Sequence, residues 1–161
     1  MIKNFFKALL YLAAADILSL FVCFTLASSG MLFMRIICAF CTIGIMAGII
    51  ADLAVKTAEN DLKAAKKEEK KHSPFPLAFI TSMPSLISWA ILKYSLVSGA
   101  DFYRFYKLIN GWCLQLFNII NSSSSTADLS EKEVLIMLPT TFLPSIVFII
   151  TYFKVFGGKK T

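Results

Sequence analysis

The sequence is poor in the groups from which enzymes build active sites. Histidine occurs once, as His72, which excludes an HExxH zinc motif and any site needing two imidazoles. No glycine-rich phosphate loop precedes a helical stretch, and no serine elbow is present. Charge is scarce as well: 16% of the residues are charged against 57% hydrophobic. That leaves too little polar surface to clothe a soluble domain of this length. Internal repeats are absent. With no catalytic constellation, metal set or cofactor motif, the chain is not expected to be an enzyme, and no cofactor is expected.

What the sequence does contain is long apolar runs. They cover about residues 5–27, 31–55, 77–98 and 134–156, and each is roughly the length a helix needs to cross a ~30 Å hydrocarbon layer. Ser28-Ser29-Gly30 is a short turn that folds the first two runs into a hairpin. The charged stretch 56–76 contains six lysines together with Glu59, Asp61, Glu68 and Glu69, and reads as a solvated continuation of the second span. Ser73-Pro74-Phe75-Pro76 marks its end. Ser130 and Glu133 form a capping box before the fourth run, which Pro139 and Pro144 are expected to bend.

Residues 101–121 differ. Phe102, Phe105, Tyr106, Ile109, Trp112, Leu116, Phe117 and Ile120 recur at helical spacing, opposite Arg104, Lys107, Gly111, Gln115 and Asn118. This pattern predicts an amphipathic interfacial helix, with Phe105, Trp112 and Phe117 turned into the headgroup region. A fifth span is the alternative, and the positive charges decide against it. Four spans gather eleven basic residues on one side and leave Arg104, Lys107 and Lys132 on the other. The richer side is expected in the cytoplasm. The expected architecture is therefore an all-α integral membrane protein, a single membrane domain of four transmembrane helices, N-in/C-in, with the amphipathic helix in the outer loop between spans three and four. The plasma membrane is the expected location. Because the basic residues flank apolar runs, nucleic acid is not an expected partner.

Several polar groups fall inside the spans. A charge at mid-membrane costs about 2.5–3.5 kcal/mol on insertion scales, so Asp16 is expected to face protein or water. Counting from the turn places it at the depth of Thr42, its expected hydrogen-bond partner if it serves packing alone. Arg35 lies nearer the outer surface and is expected to snorkel, whereas Asp52 is expected to pair at the cytoplasmic interface with Lys56 or Lys7. Gly44 and Gly48 form a GxxxG pair on the face that also carries Cys41, Ala51 and Asp52, suited to close helix packing.

Cys38-Ala39-Phe40-Cys41 has the CxxC spacing of dithiol redox centres. With four spans, this motif early in the second and a long outer loop, the layout is similar to that of membrane oxidoreductases that pass electrons from protein thiols to quinone. The similarity is one of topology: only Cys113 is available in the outer loop, and Arg35 precedes the CxxC. It implies a redox pair at Cys38 and Cys41. The leading expectation is instead a non-catalytic structural or regulatory subunit, partnered by the bilayer and by other membrane subunits or copies of itself. The alternative is a homo-oligomeric pore or small transporter with Asp16 in its path.

Overall fold

Apolar runs give the first three long helices, α1 (Ile2–Leu26), α2 (Leu32–Lys66) and α3 (Pro74–Ser98), which continue through Gly44 and Gly48 in α2 and Pro84 in α3. The computed structural model describes residues 2–26, 31–66 and 73–158, and among these every regular element is helical. The expected turn at Ser28–Gly30, the part of the charged loop from 67 to 72 and the tail 159–161 lie outside the described residues. α2 has 35 residues, or roughly 50 Å of helix, so it outruns a ~30 Å apolar layer and carries its charged end beyond it. α3 starts three residues earlier than its apolar run suggested, because Pro74 sits in the first turn, where the missing N–H leaves no partner unsatisfied. It closes on Gly99, whose φ of 74° is a left-handed cap open to glycine.

The fourth span is not one helix. Glu131–Gly158 is apolar enough to cross a membrane, but it consists of α6 (Glu131–Met137), a 3-10 segment Leu138–Phe142 around Pro139, and α7 (Leu143–Gly158). The numbers α4 and α5 belong to two short helices before it, Tyr103–Ile109 and Leu114–Ile120. Ser130 caps α6 in the expected box, its hydroxyl taking the Glu133 N–H at 3.3 Å. The interruption also frees backbone donors of α7: Ser145 N donates to Ser82 Oγ (3.2 Å), and Ser145 Oγ donates to Ala78 O (2.6 Å). These bonds hold α7 to α3.

Four helices are long and apolar enough to span a membrane. They form a ring in which α1 packs on α2, α2 on α7, α7 on α3 and α3 on α1. The distribution of polarity is that of a protein solvated by lipid. Phe24, Phe40 and Val97 are 72%, 74% and 84% exposed, while Ser19, Thr42, Thr81, Ser82, Ser88 and Ser95 are buried. Small hydroxyl residues allow close approach and bond back to carbonyls of their own helix or across to the next. Tyr152 Oη donates to Asp61 at 2.8 Å and Tyr11 Oη to Asp52 at 3.1 Å. The start of α1 and the ends of α2 and α7 therefore meet at one end of the ring, the termini end.

Candidate functional site

At the opposite end, the ring is filled by the segment expected to lie flat on the headgroups. The single helix predicted over 101–121 is corrected to a hairpin. α4 enters, a 3-10 turn at Gly111–Cys113 reverses direction, and α5 returns. Trp112 and Phe117 are buried against the bundle, and of the three expected interfacial anchors only Phe105 is exposed, at 57%. The physical reason lies in the stripe that looked polar. Gly111 and Asn110 supply a tight reversal, and the aromatic residues on either side find more contacts between helices than a flat surface would offer.

The tip reaches Asp16. A Cβ on Gly111 would stand 3.3 Å from the Asp16 carbonyl oxygen and 2.7 Å from Leu20 Cγ, so only glycine lets the turn come this close. Asp16 Oδ1 accepts a long hydrogen bond from Trp112 N at 3.4 Å. Asp16 lies ten residues, about 15 Å of helical rise, inside the end of α1 at Leu26. The intramembrane carboxyl is thus met by backbone donors of the hairpin. The expected partner, Thr42, is not there: it sits one turn away, its carbonyl taking the Ser19 hydroxyl at 3.4 Å and its own hydroxyl bonding Ala39 O at 3.1 Å. Counting depth from a turn ignores the offset between packed helices.

On its other flank the tip is tied to α3 by Asn110 Nδ2, which donates to Ser88 Oγ at 3.0 Å. Tyr103 and Lys107 close the base of the hairpin. Lys107 Nζ donates to Asn118 Oδ1 (2.7 Å), Asn121 O (3.0 Å) and Ser123 O (2.6 Å), and stands 4.2 Å from the centre of the Tyr103 ring. Burial pushes the Lys107 ammonium down to about 8, and the charge of Arg35 pushes the same way. Asn121, the first residue of a glycosylation sequon, is committed by its Nδ2 to Asp128 O at 2.9 Å and Glu133 Oε1 at 3.1 Å. Buried beside the hairpin, Ser85 Oγ, Trp112 Nε1 and Gln115 Oε1 lack a hydrogen-bond partner among the described residues.

The thiols fall differently from the CxxC reading. Cys38 is buried and its Sγ lies 3.5 Å from Cys23 Sγ on α1, with the Gln115 side chain of α5 against Cys23. Cys41, three residues on, points out of the bundle and is exposed. The dithiol that the structure brings together is therefore Cys23 and Cys38, not Cys38 and Cys41. Two cysteines three apart on a helix diverge by about 60° around its axis, and the neighbouring helix selects one of them.

The glycine pair also turns outward. Gly44 and Gly48 are exposed, and a Cβ on either would meet nothing within 4 Å. The face of α2 that packs inside carries Thr42, Met46, Ile50, Leu53 and Ala54, because α2 must touch α1, α5 and α7 together. Gly48 instead lines a surface groove of about 510 Å³ with Leu10, Ala14 and Ile49, ending at Tyr11 and Asp52. Asp52 Oδ2 is 2.6 Å from Lys56 Nζ. Among the described residues, no three His, Cys, Asp or Glu side chains gather to hold a metal.

These features define an all-helical protein with four candidate membrane spans and a helical hairpin inserted among them. Comparison with protein-family models, with curated proteins and with solved structures found no match.

Proposed function

We propose that this chain is a non-catalytic structural or regulatory subunit of a larger membrane complex, with its termini end in the cytoplasm. The observation that carries the reading is the open Gly44–Gly48 strip above the α1/α2 groove. It offers another transmembrane helix close backbone approach, and association in lipid depends on such packing. The hairpin supports the same reading, since it engages Asp16 in holding the bundle together and leaves that carboxyl less free to line a path. The lysine asymmetry supports the orientation. Gentle solubilisation followed by intact-complex mass measurement tests the proposal. A stoichiometric foreign chain, lost on Gly44→Leu/Gly48→Leu with the monomer still folded, is the expected result. A catalytically competent chain recovered alone would sink it.

One observation favours a second reading, thiol oxidoreduction: the Cys23–Cys38 approach at 3.5 Å. Oxidation would join the two sulfurs, release two protons and pass two electrons to a lipid-soluble quinone, reducing it to the quinol. Membranes treated with a quinone should then yield protein lighter by two hydrogens. Cys41→Ser should leave this unchanged and Cys38→Ser should abolish it; a product that needs Cys41 would rule the pair out.

A further inference from the structure

At the termini end, between α1, α2 and α3, lies a cavity of about 520 Å³, within the size range of small-molecule sites. Its walls divide by depth. Leu53, Leu77 and Ile80 belong to the apolar lengths of α2 and α3, whereas Lys7, Asn60 and Asp61 bring polar groups. A cavity that changes from apolar to charged along the bundle axis suits an amphiphile lying parallel to the helices. It is separate from the groove at Gly48.

The two charges are placed and available. Lys7 Nζ makes no hydrogen bond or ion pair among the described residues and rests 5.9 Å from the centre of the Tyr11 ring. Lys7 lies four residues, about 6 Å, nearer the termini end than Tyr11, whose hydroxyl bonds Asp52 and Lys56. Asp61 is five residues beyond Lys56 along α2, about 7 Å further toward the end of the bundle. Its side chain is fixed by Tyr152 Oη on Oδ2, and the residue is only 8% exposed. Its Oδ1 accepts nothing among the described residues. The cation and the anion thus stand on facing helices at the outer end of the cavity, beyond Leu53.

We propose that this cavity seats the head of an aminophospholipid, with the phosphate at Lys7, the primary amine at Asp61 and the upper acyl chain along Leu53, Leu77 and Ile80. The pair matches the molecule, because in phosphatidylethanolamine the ammonium stands two carbons from the phosphate and both lie at the polar end of the acyl chains. One cation and one anion balance a zwitterion, whereas the hydroxyls of phosphatidylglycerol bring Asp61 neutral hydrogen bonds, weaker than those of an ammonium, and no countercharge. The carboxylate also separates ethanolamine from choline: a primary ammonium donates hydrogen bonds, and a quaternary one has none to give.

The test is native mass spectrometry of the full chain in detergent, with phosphatidylethanolamine, phosphatidylcholine or phosphatidylglycerol of matched chains added in turn. The expected result is retention of phosphatidylethanolamine about tenfold above the other two, a difference of ~1.4 kcal/mol. Asp61→Asn should bring ethanolamine and choline lipids level, and Lys7→Gln should weaken both. Since Asp61 also holds Tyr152, Leu77→Trp provides a variant that fills the cavity without touching either charge; it should displace the lipid while the melting temperature holds. Equal retention of the three lipids, a preference for phosphatidylglycerol, or binding undisturbed by Leu77→Trp would overturn the proposal.

Discussion

A methyl group added at Gly111 would press on Leu20 Cγ at 2.7 Å and Cδ2 at 3.0 Å, with the Asp16 carbonyl at 3.3 Å behind. Leucine can shift and a helix carbonyl cannot, so Gly111→Ala is expected to destabilise the protein by about 1–3 kcal/mol. Thermal unfolding in detergent would read this directly. Leu20→Ala added to Gly111→Ala should recover only part of the loss, because it clears the closer contact and leaves the Asp16 carbonyl in place. If the single variant melts like the parent, the hairpin does not seat against α1. Little of this was legible in the sequence: Asp16 stood out by its charge, but its partner is a backbone N–H, which no residue type announces. The one available signal was Gly111, a lone glycine within an aromatic-rich helical pattern, which can mark a break in the helix or a close approach.

At the scale of elements, the apolar runs and the cap of α6 were readable because each is a local property: length against the bilayer, Ser130 with Glu133. The course of 101–121 was not, because one helical period serves a helix on a surface and two short helices in a cleft equally well. What separates them is the room left between α1, α2 and α3, a tertiary quantity. The clamp at the base of that hairpin makes a prediction about pH. Lys107, pushed down to about 8 in the folded protein from an ordinary 10.5, loses its proton before the unfolded chain does. Between about pH 8 and 10.5 the unfolded state holds more protons, so stability rises with pH across that window. Deprotonation relieves a buried charge while Nζ keeps two hydrogens for its closest acceptors. Melting temperature in detergent should therefore climb by a few degrees from about pH 7.5 to 9.5, and Lys107→Met should flatten the climb. A parent profile that falls over this range would contradict the assignment.

For the molecule as a whole, the proposed orientation rests on charge and the proposed assembly on shape, and each has its own measurement. With the termini end cytoplasmic, a cysteine placed at the exposed Ser73 should react with an impermeant maleimide only in opened cells, and one at the exposed Ser124 in intact cells. The reverse pattern would invert the protein. The direction in which GxxxG faces could not be taken from its spacing. α2 packs against α1, α5, α7 and the Gly111–Cys113 turn, and Met46 and Ile50 fill that interior while Gly44 and Gly48 face outward. On the proposed subunit reading this outward glycine strip receives another helix, and Gly48→Leu should change the mass of the native assembly more than it changes the stability of the monomer.

The meeting of Trp112 with Asp16 joins residues 96 positions apart, and this has a consequence for the order in which the protein is made. α1, α2 and α3 leave the ribosome before the segment that fills them. Through that interval the newborn chain holds a carboxyl in lipid with its hairpin partner still unmade. Three of the four candidate spans exist at that stage and packing is unfinished, so seating the hairpin, followed by α6 and α7, comes late in the making of the protein. Gly111→Leu, which keeps all four candidate spans and unseats the hairpin, should make the chain bind other polar helices more than the parent does.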